Sequence, residues 1–196
     1  DHRYQSLDEV ARLSRVDNLG PKLMRALPYL RGAVVVRTCN RLAILVDAPS
    51  RLASSGQSGS DVARAGSACP GSAVSGSGVT PAVADDVRAV LAHCVELSLE
   101  QVHLRHLAGH QAHLDLFATA AGLESMVVGE REIAGQLRRA FHAAWEEDTL
   151  SCDLGRALEH ASRTSRLVAT QTGLASSGRS VVAVGLDLAA QALQDA

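Results

Sequence analysis

The 196-residue chain has 46% hydrophobic and 20% charged side chains and a formal net charge of −2, which excludes a wholly disordered polypeptide and any global basic footprint for nucleic acid. No run reaches the ~20 apolar residues of a membrane span and none reads as a signal peptide, so the expected setting is the cytoplasm, without membrane attachment. The four cysteines, Cys39, Cys69, Cys94 and Cys152, form no C-x-x-C pair and are expected to be reduced.

Aromatic residues are only 3%, so the core has to be built from Leu, Val and Ala. The chain opens at "DHRYQSLDEV" without an initiator methionine, and is expected to be a piece of a longer protein. In "SLDEVARLSRV", Ser6 and Glu9 have the spacing of a capping box, and Val10, Leu13 and Val16 repeat at helical intervals, which predicts a first helix. A second, short helix is predicted around 21 to 29, with Pro21 at its first position and its end near Pro28. The pattern then changes. "GAVVVRT" and "LAILVDA" are runs of β-branched and aliphatic residues between Gly32 and Pro49, and predict two strands of a small mixed sheet.

Residues 50 to 81 are rich in Ser, Gly and Ala and read as a long flexible loop. Thr80 then caps a helix through about Cys94, with Pro81 at its first position. An extended piece, "VHLRHLAG", precedes a helix from about 110 to 123. The span 129 to 172 is almost free of breakers and stops at Gly173, which predicts one very long helix or two stacked ones. Ser177 or Ser180 opens a last helix. The fold class expected is α+β: a catalytic domain over residues 1–125 whose small mixed sheet carries Cys39, then a long helical connector over 126–196.

Two segments carry chemistry. "VVVRTCNRLAILVDAP", residues 34 to 49, sets Cys39 between two strands, where it is either a small buried hydrophobe or a nucleophile at a bend. Arg37 and Arg41 lie two residues to either side, and a guanidinium can lower a thiol pKa or pair with a substrate carboxylate; Arg41 is favoured for the carboxylate. "DLFATAAGLESMVVGEREIAGQ", residues 115 to 136, holds Ser125, Glu130, Glu132 and Gln136 in an otherwise apolar stretch. Ser125 and Gln136 are eleven residues apart, close to three turns, and would share a face on a continuous helix. The bland alternative is a helix start at Gly129-Glu130 with acidic residues complementing the dipole.

These segments, in this order, together with "DHR" near the start and "RLVATQTGL" at 166 to 174, resemble the N-terminal catalytic domain of glutamyl-tRNA reductase. The resemblance covers most of the chain apart from the Ser/Gly loop. It implies that Cys39 of "TCNR" is the nucleophile. It also implies that Thr38, Asn40, Arg41, Ser125, Glu130, Arg131, Glu132 and Gln136 bind the glutamyl moiety of glutamyl-tRNA. The implied reaction is thioester formation, then reduction by NADPH to glutamate-1-semialdehyde for 5-aminolevulinate and tetrapyrrole synthesis. A thioester accepts hydride more readily than an oxygen ester, which suits cysteine to the task. The resemblance further implies a homodimeric full-length protein that passes its product to an aminomutase.

Departures from the family pattern bear on specificity. Asp115 stands where the family has a histidine seven residues before Gly122, and takes that place among the candidate catalytic residues. Leu42, Ala43 and Leu45 replace the usual Thr, Glu and aromatic residues after Arg41, and Glu132 replaces a Gln. Two alternatives therefore stand beside glutamyl-tRNA reductase: a paralogue that forms a thioester from another aminoacyl-tRNA, and a non-catalytic tRNA- or haem-binding relative. His103, His106, His110 and His113 recur at roughly helical spacing but are read as surface histidines, so no metal site is expected. Arg138, Arg139, Arg163 and Arg166 read equally as tRNA contacts or as a solvated face. No G-x-G-x-x-G follows a strand, so the NADPH-binding domain is expected to lie outside these residues.

Overall fold

The computed structural model describes residues 7–38, 41–49, 81–124, 132–172, 186–187 and 189–190, with the backbone alone described for 7–10. The elements run α1 (Leu7–Ser14), α2 (Leu19–Ala26), β1 (Gly32–Arg37), β2 (Leu42–Asp47), α3 (Pro81–Val95), α4 (Gly109–Ala120), α5 (Glu132–Glu146) and α6 (Cys152–Gln171), with a 3-10 turn at Leu99–Gln101. The fold is α+β. Among the described residues the sheet is an antiparallel hairpin and not a mixed sheet, with Gly32 opposite Asp47 and Arg37 opposite Leu42.

The hairpin is covered on both faces, which explains the unbroken run of valines in β1: a strand exposed on one side would alternate apolar with polar. Ala33 and Val35, with Leu42, Ile44 and Val46, pack against Leu13, Leu19 and Leu23 of the first two helices and Val83, Val87 and Leu91 of α3. Val34 and Val36, with Ala43 and Leu45, face Leu116, Leu137, Ala140, Leu154 and Leu158 of α4, α5 and α6. The period of two along each strand thus sorts alternate side chains into two cores. Each fully buried leucine, such as Leu23, Leu91 or Leu137, contributes roughly 1.5–3 kcal/mol by leaving water.

Pairing leaves one edge of β1 open, and the α5–α6 connection covers it. The amide of Ala33 donates to the carbonyl of Thr149 at 2.8 Å. A Cβ on Gly32 would stand 2.7 Å from the backbone nitrogen of Ser151, so only glycine admits this approach. Residues of α5, and of α6 as far as Ala161, share the core with β1, so this part of the 126–196 segment is packed onto the hairpin.

Several element limits differ from the sequence reading. The second helix begins at Leu19 and not at Pro21, because Asn18 turns into the left-handed region (φ 52) and already accepts from the amide of Lys22. Pro21 remains acceptable within the first turn, where amides have no intrahelical partner. The span 129–172 contains two stacked helices. They part where Asp148 takes a positive φ of 55, a conformation Asp tolerates, and where Ser151 caps α6 by accepting from the amide of Leu154 at 3.3 Å. Cys94 is a free thiol, but Cys152 is disulfide-bonded, which departs from the expectation of reduced cysteines. Ser6, the 50–80 segment, Thr80 and the caps at Ser177 or Ser180 lie outside the described residues.

Candidate functional site

The turn between the strands closes tightly. The Thr38 amide donates to the Arg41 carbonyl at 2.9 Å, and the Thr38 hydroxyl reaches the same oxygen at 3.3 Å. Cys39 and Asn40, which separate them in sequence, lie outside the described residues, as do Ser125, Glu130 and Arg131.

Arg41 is the centre of the described site. Its side chain is only 10% exposed, an unusual place for a cation unless its donors are met. Its Nη1 donates to Thr119 Oγ1 at 2.7 Å and to Asp115 Oδ2 at 3.4 Å. Its Nη2 stands 3.6 Å from Glu124 Oε2. Asp115 and Thr119 are four residues apart on α4 and therefore project from one helix face, which is how a single helix meets one guanidinium twice. Glu124 follows in the turn after α4. Asp115 also accepts from Arg105 through its other oxygen, so one carboxylate is shared by two guanidiniums. A carboxylate has two oxygens and room for such bridging, and charge-assisted bonds of this kind are the stronger class.

The structure thus joins Arg41 to Asp115 and turns both toward the protein's own charges. Arg41, favoured in sequence for a substrate carboxylate, is met here by Asp115 and Glu124. Arg37 is turned elsewhere, donating from Nη2 to the Val16 carbonyl at 2.7 Å. Glu132 opens α5 and is exposed, and the side-chain oxygen of Gln136 is buried with no hydrogen-bond partner among the described residues. The shared face of Ser125 and Gln136 depends on a residue outside the described set.

Sequence reasoning missed Arg105, Thr119 and Glu124. The filter that selected Ser125 and Gln136, polar side chains in an apolar run, also selects Thr119 and Glu124 if it is carried a few residues upstream. Arg105 left no such signal, since it sits in the irregular 102–108 segment.

The histidines do not converge. His103 and His106 precede α4, His110 and His113 lie on it, and all four are exposed; His113 Nδ1 is 2.9 Å from the Gly109 carbonyl within its own turn. Among the described residues no three His, Cys, Asp or Glu side chains group as metal ligands, and no helix is long and apolar enough to cross a membrane. Arg138, Arg139, Arg163 and Arg166 are exposed on the outer faces of α5 and α6.

Comparison with known proteins agrees with the motif order. A family model described as "Glutamyl-tRNAGlu reductase, N-terminal domain" matches residues 1–172. The glutamyl-tRNA reductase of Cutibacterium acnes is 40% identical over 192 residues, covering 97% of this chain and 37% of its own length. That of Micrococcus luteus is 42% identical over 193 residues, covering 96% and 36%. That of Clavibacter michiganensis is 37% identical over 195 residues, covering 99% and 39%. The chain therefore spans less than two fifths of the length of these relatives. With both motifs and the helices that carry Arg41's partners inside the matched span, the chain belongs to the glutamyl-tRNA reductase family and corresponds to its N-terminal domain.

Proposed function

We propose that this chain accepts the glutamyl group of glutamyl-tRNA onto Cys39 as a thioester, the acylation half of glutamyl-tRNA reductase. In this reading the Cys39 thiolate attacks the ester carbonyl, a carbon–sulfur bond forms, the bond to the ribose oxygen breaks, and that oxygen takes up a proton. The aminoacyl ester is already activated, so a thiolate needs no metal to displace the ribose. Thr38 and Arg41 brace the turn that bears Cys39 and, with Asn40, Ser125, Glu130, Arg131, Glu132 and Gln136, are assigned to the glutamyl moiety.

The observation that carries the proposal is the family match across residues 1–172, which includes both motif segments. The buried Arg41 beside the turn supports it, because a buried guanidinium fixed by a helix is a rigid base for a short functional loop.

NADPH is the hydride donor of the whole reaction in this reading, and it would turn the thioester into glutamate-1-semialdehyde. The residues present do not fit it. Among the described residues β1 leads through a tight turn into β2 and not through a glycine-rich turn into a helix, so a dinucleotide finds no phosphate cradle there. No step is derived through it, and we assign the cofactor to another part of the full-length protein. The same reading carries with it a cytoplasmic, homodimeric enzyme that passes its aldehyde to an aminomutase in tetrapyrrole synthesis.

A second reading, a paralogue that takes a different aminoacyl group, is favoured by one observation: Arg41 faces Asp115 and Glu124 and not an open edge of the site. Incubation with radiolabelled glutamyl-tRNA separates the two. The expected result is a hydroxylamine-labile adduct on the Cys39 peptide that disappears in Cys39→Ala. Acylation by another charged tRNA in preference to glutamyl-tRNA selects the paralogue, and an adduct that survives Cys39→Ala overturns both.

A further inference from the structure

The unusual feature of the site is a carboxylate where a substrate carboxylate would be welcomed. Asp115 is lodged between Arg41 and Arg105, and Glu124 flanks the far nitrogen of Arg41. Among the described residues this group holds two guanidiniums and two carboxylates. Arg41 is nearly buried, whereas Arg105 is 44% exposed on its side chain, so the inner cation is the one whose field is least screened by water. A third carboxylate brought to this group on a substrate meets an Arg41 that already faces two carboxylates, and not a lone cation. To reach Nη1 it has to displace Asp115 or Thr119, and to reach Nη2 it has to displace Glu124.

We propose that Asp115 is a selectivity residue acting through Arg41: its carboxylate offsets the charge of Arg41 and so weakens the preference of the site for an acyl group that bears a side-chain carboxylate over its neutral amide analogue. This deepens the acyl-acceptor reading above and rests on it for the identity of the substrate. The electrostatic part stands on the described residues alone.

Two measurements test it, with variants of opposite sign. Asp115→Asn removes an anion and keeps the shape. Glu124→Gln does the same at the second carboxylate, and serves if Asp115→Asn fails to fold. Arg105→Gln removes the outer cation. The first measurement needs no tRNA. Iodoacetate and iodoacetamide are close in size and differ by one negative charge, so the ratio of their rates at one thiol cancels its ionisation and reports the local potential. Cys39 is two residues from Arg41, at most about 7.6 Å between Cα atoms, and its alkylation can be followed on its own peptide by mass spectrometry. The iodoacetate-to-iodoacetamide ratio is expected to rise about threefold or more in Asp115→Asn and to fall in Arg105→Gln. A ratio that stays put in both variants, or moves the same way in both, overturns the proposal.

The second measurement compares acylation of Cys39 by glutamyl-tRNA and glutaminyl-tRNA. The glutamyl-to-glutaminyl rate ratio is expected to rise on the order of tenfold in Asp115→Asn, whereas a purely structural role for Asp115 would lower both rates together. An unchanged acylation ratio overturns the proposal even if the alkylation ratio moves. If neither tRNA acylates the unmodified chain, it is the acyl-acceptor reading that fails, and the alkylation ratios alone decide whether Asp115 sets the field at the turn.

Discussion

Arg41 and Thr119, 78 positions apart, are joined by a 2.7 Å hydrogen bond from Nη1 to Oγ1 in a buried setting. Through it the β1–β2 turn and α4 hold each other, and with Asp115 it satisfies both protons of Nη1. Replacing Thr119 by Val keeps the shape and removes the acceptor, leaving a buried charged donor unmet. The expected loss is about 1–3 kcal/mol in urea denaturation, with Thr119→Ser recovering most of it. A Val variant as stable as the parent would mean that water replaces the hydroxyl at no cost.

Arg41 itself should tolerate neither truncation nor a lysine. Arg41→Ala leaves Asp115 and Glu124 without their shared inner cation. Breaking a fully buried pair costs about 3–5 kcal/mol, and the partial exposure of both carboxylates brings the expectation down to about 2–3 kcal/mol. Arg41→Lys keeps the charge but loses the planar fork that reaches Thr119, Asp115 and Glu124 together, and is expected to fall between the two. Thermal or urea melts of the three proteins give the order Arg, Lys, Ala.

Gly32 is held by geometry and not by conformation. A methyl group there would stand 2.7 Å from the Ser151 backbone nitrogen and 2.8 Å from the Ser151 Cβ. Backbone cannot swing aside as a side-chain tip can, so Gly32→Ala should push the start of α6 away from β1 and weaken the bond from Ala33 to Thr149. The expected cost is about 1–3 kcal/mol, with faster exchange of the Ala33 amide as its local signature.

Tyr29 predicts an alkaline limit to stability. Its hydroxyl donates to Asp86 Oδ2 at 2.6 Å, tying the connection between α2 and β1 to α3. Burial first, and then the hydrogen bond and negative charge of Asp86, push the phenol pKa well above its usual value of about 10. The folded chain therefore keeps this proton where the unfolded chain has lost it. The stabilisation is fully present below pH about 10 and is lost as pH rises above it. Urea midpoints measured from pH 8 to 11 should fall beyond pH 10 in the parent and fall less steeply in Tyr29→Phe. Equal slopes in the two proteins would remove Tyr29 as the cause.

What the sequence determined by itself was local or patterned. The run of valines marked a strand, Pro81 marked the start of α3, and the order of "TCNR" and "AGLESMVVGE" pointed to the family that comparison then established. It misjudged the start of α2, because a left-handed Asn18 has no signature in the neighbouring residues. It could not choose between one long helix and two over 129–172, because no Gly or Pro marks the break at Asp148.

Only the tertiary structure decided what Arg41 touches. Periodicity shows that Asp115 and Thr119 share a face of α4, but not that this face lies over a turn 74 positions earlier in the chain. That depends on α4 packing, through Leu116 and Ala120, into the same core as Val34 and Val36 of the hairpin. Hydrophobic burial is non-directional and fixes which layers meet; the charges that the layers carry are then brought together by that packing, and it is there that Asp115 became the partner of Arg41.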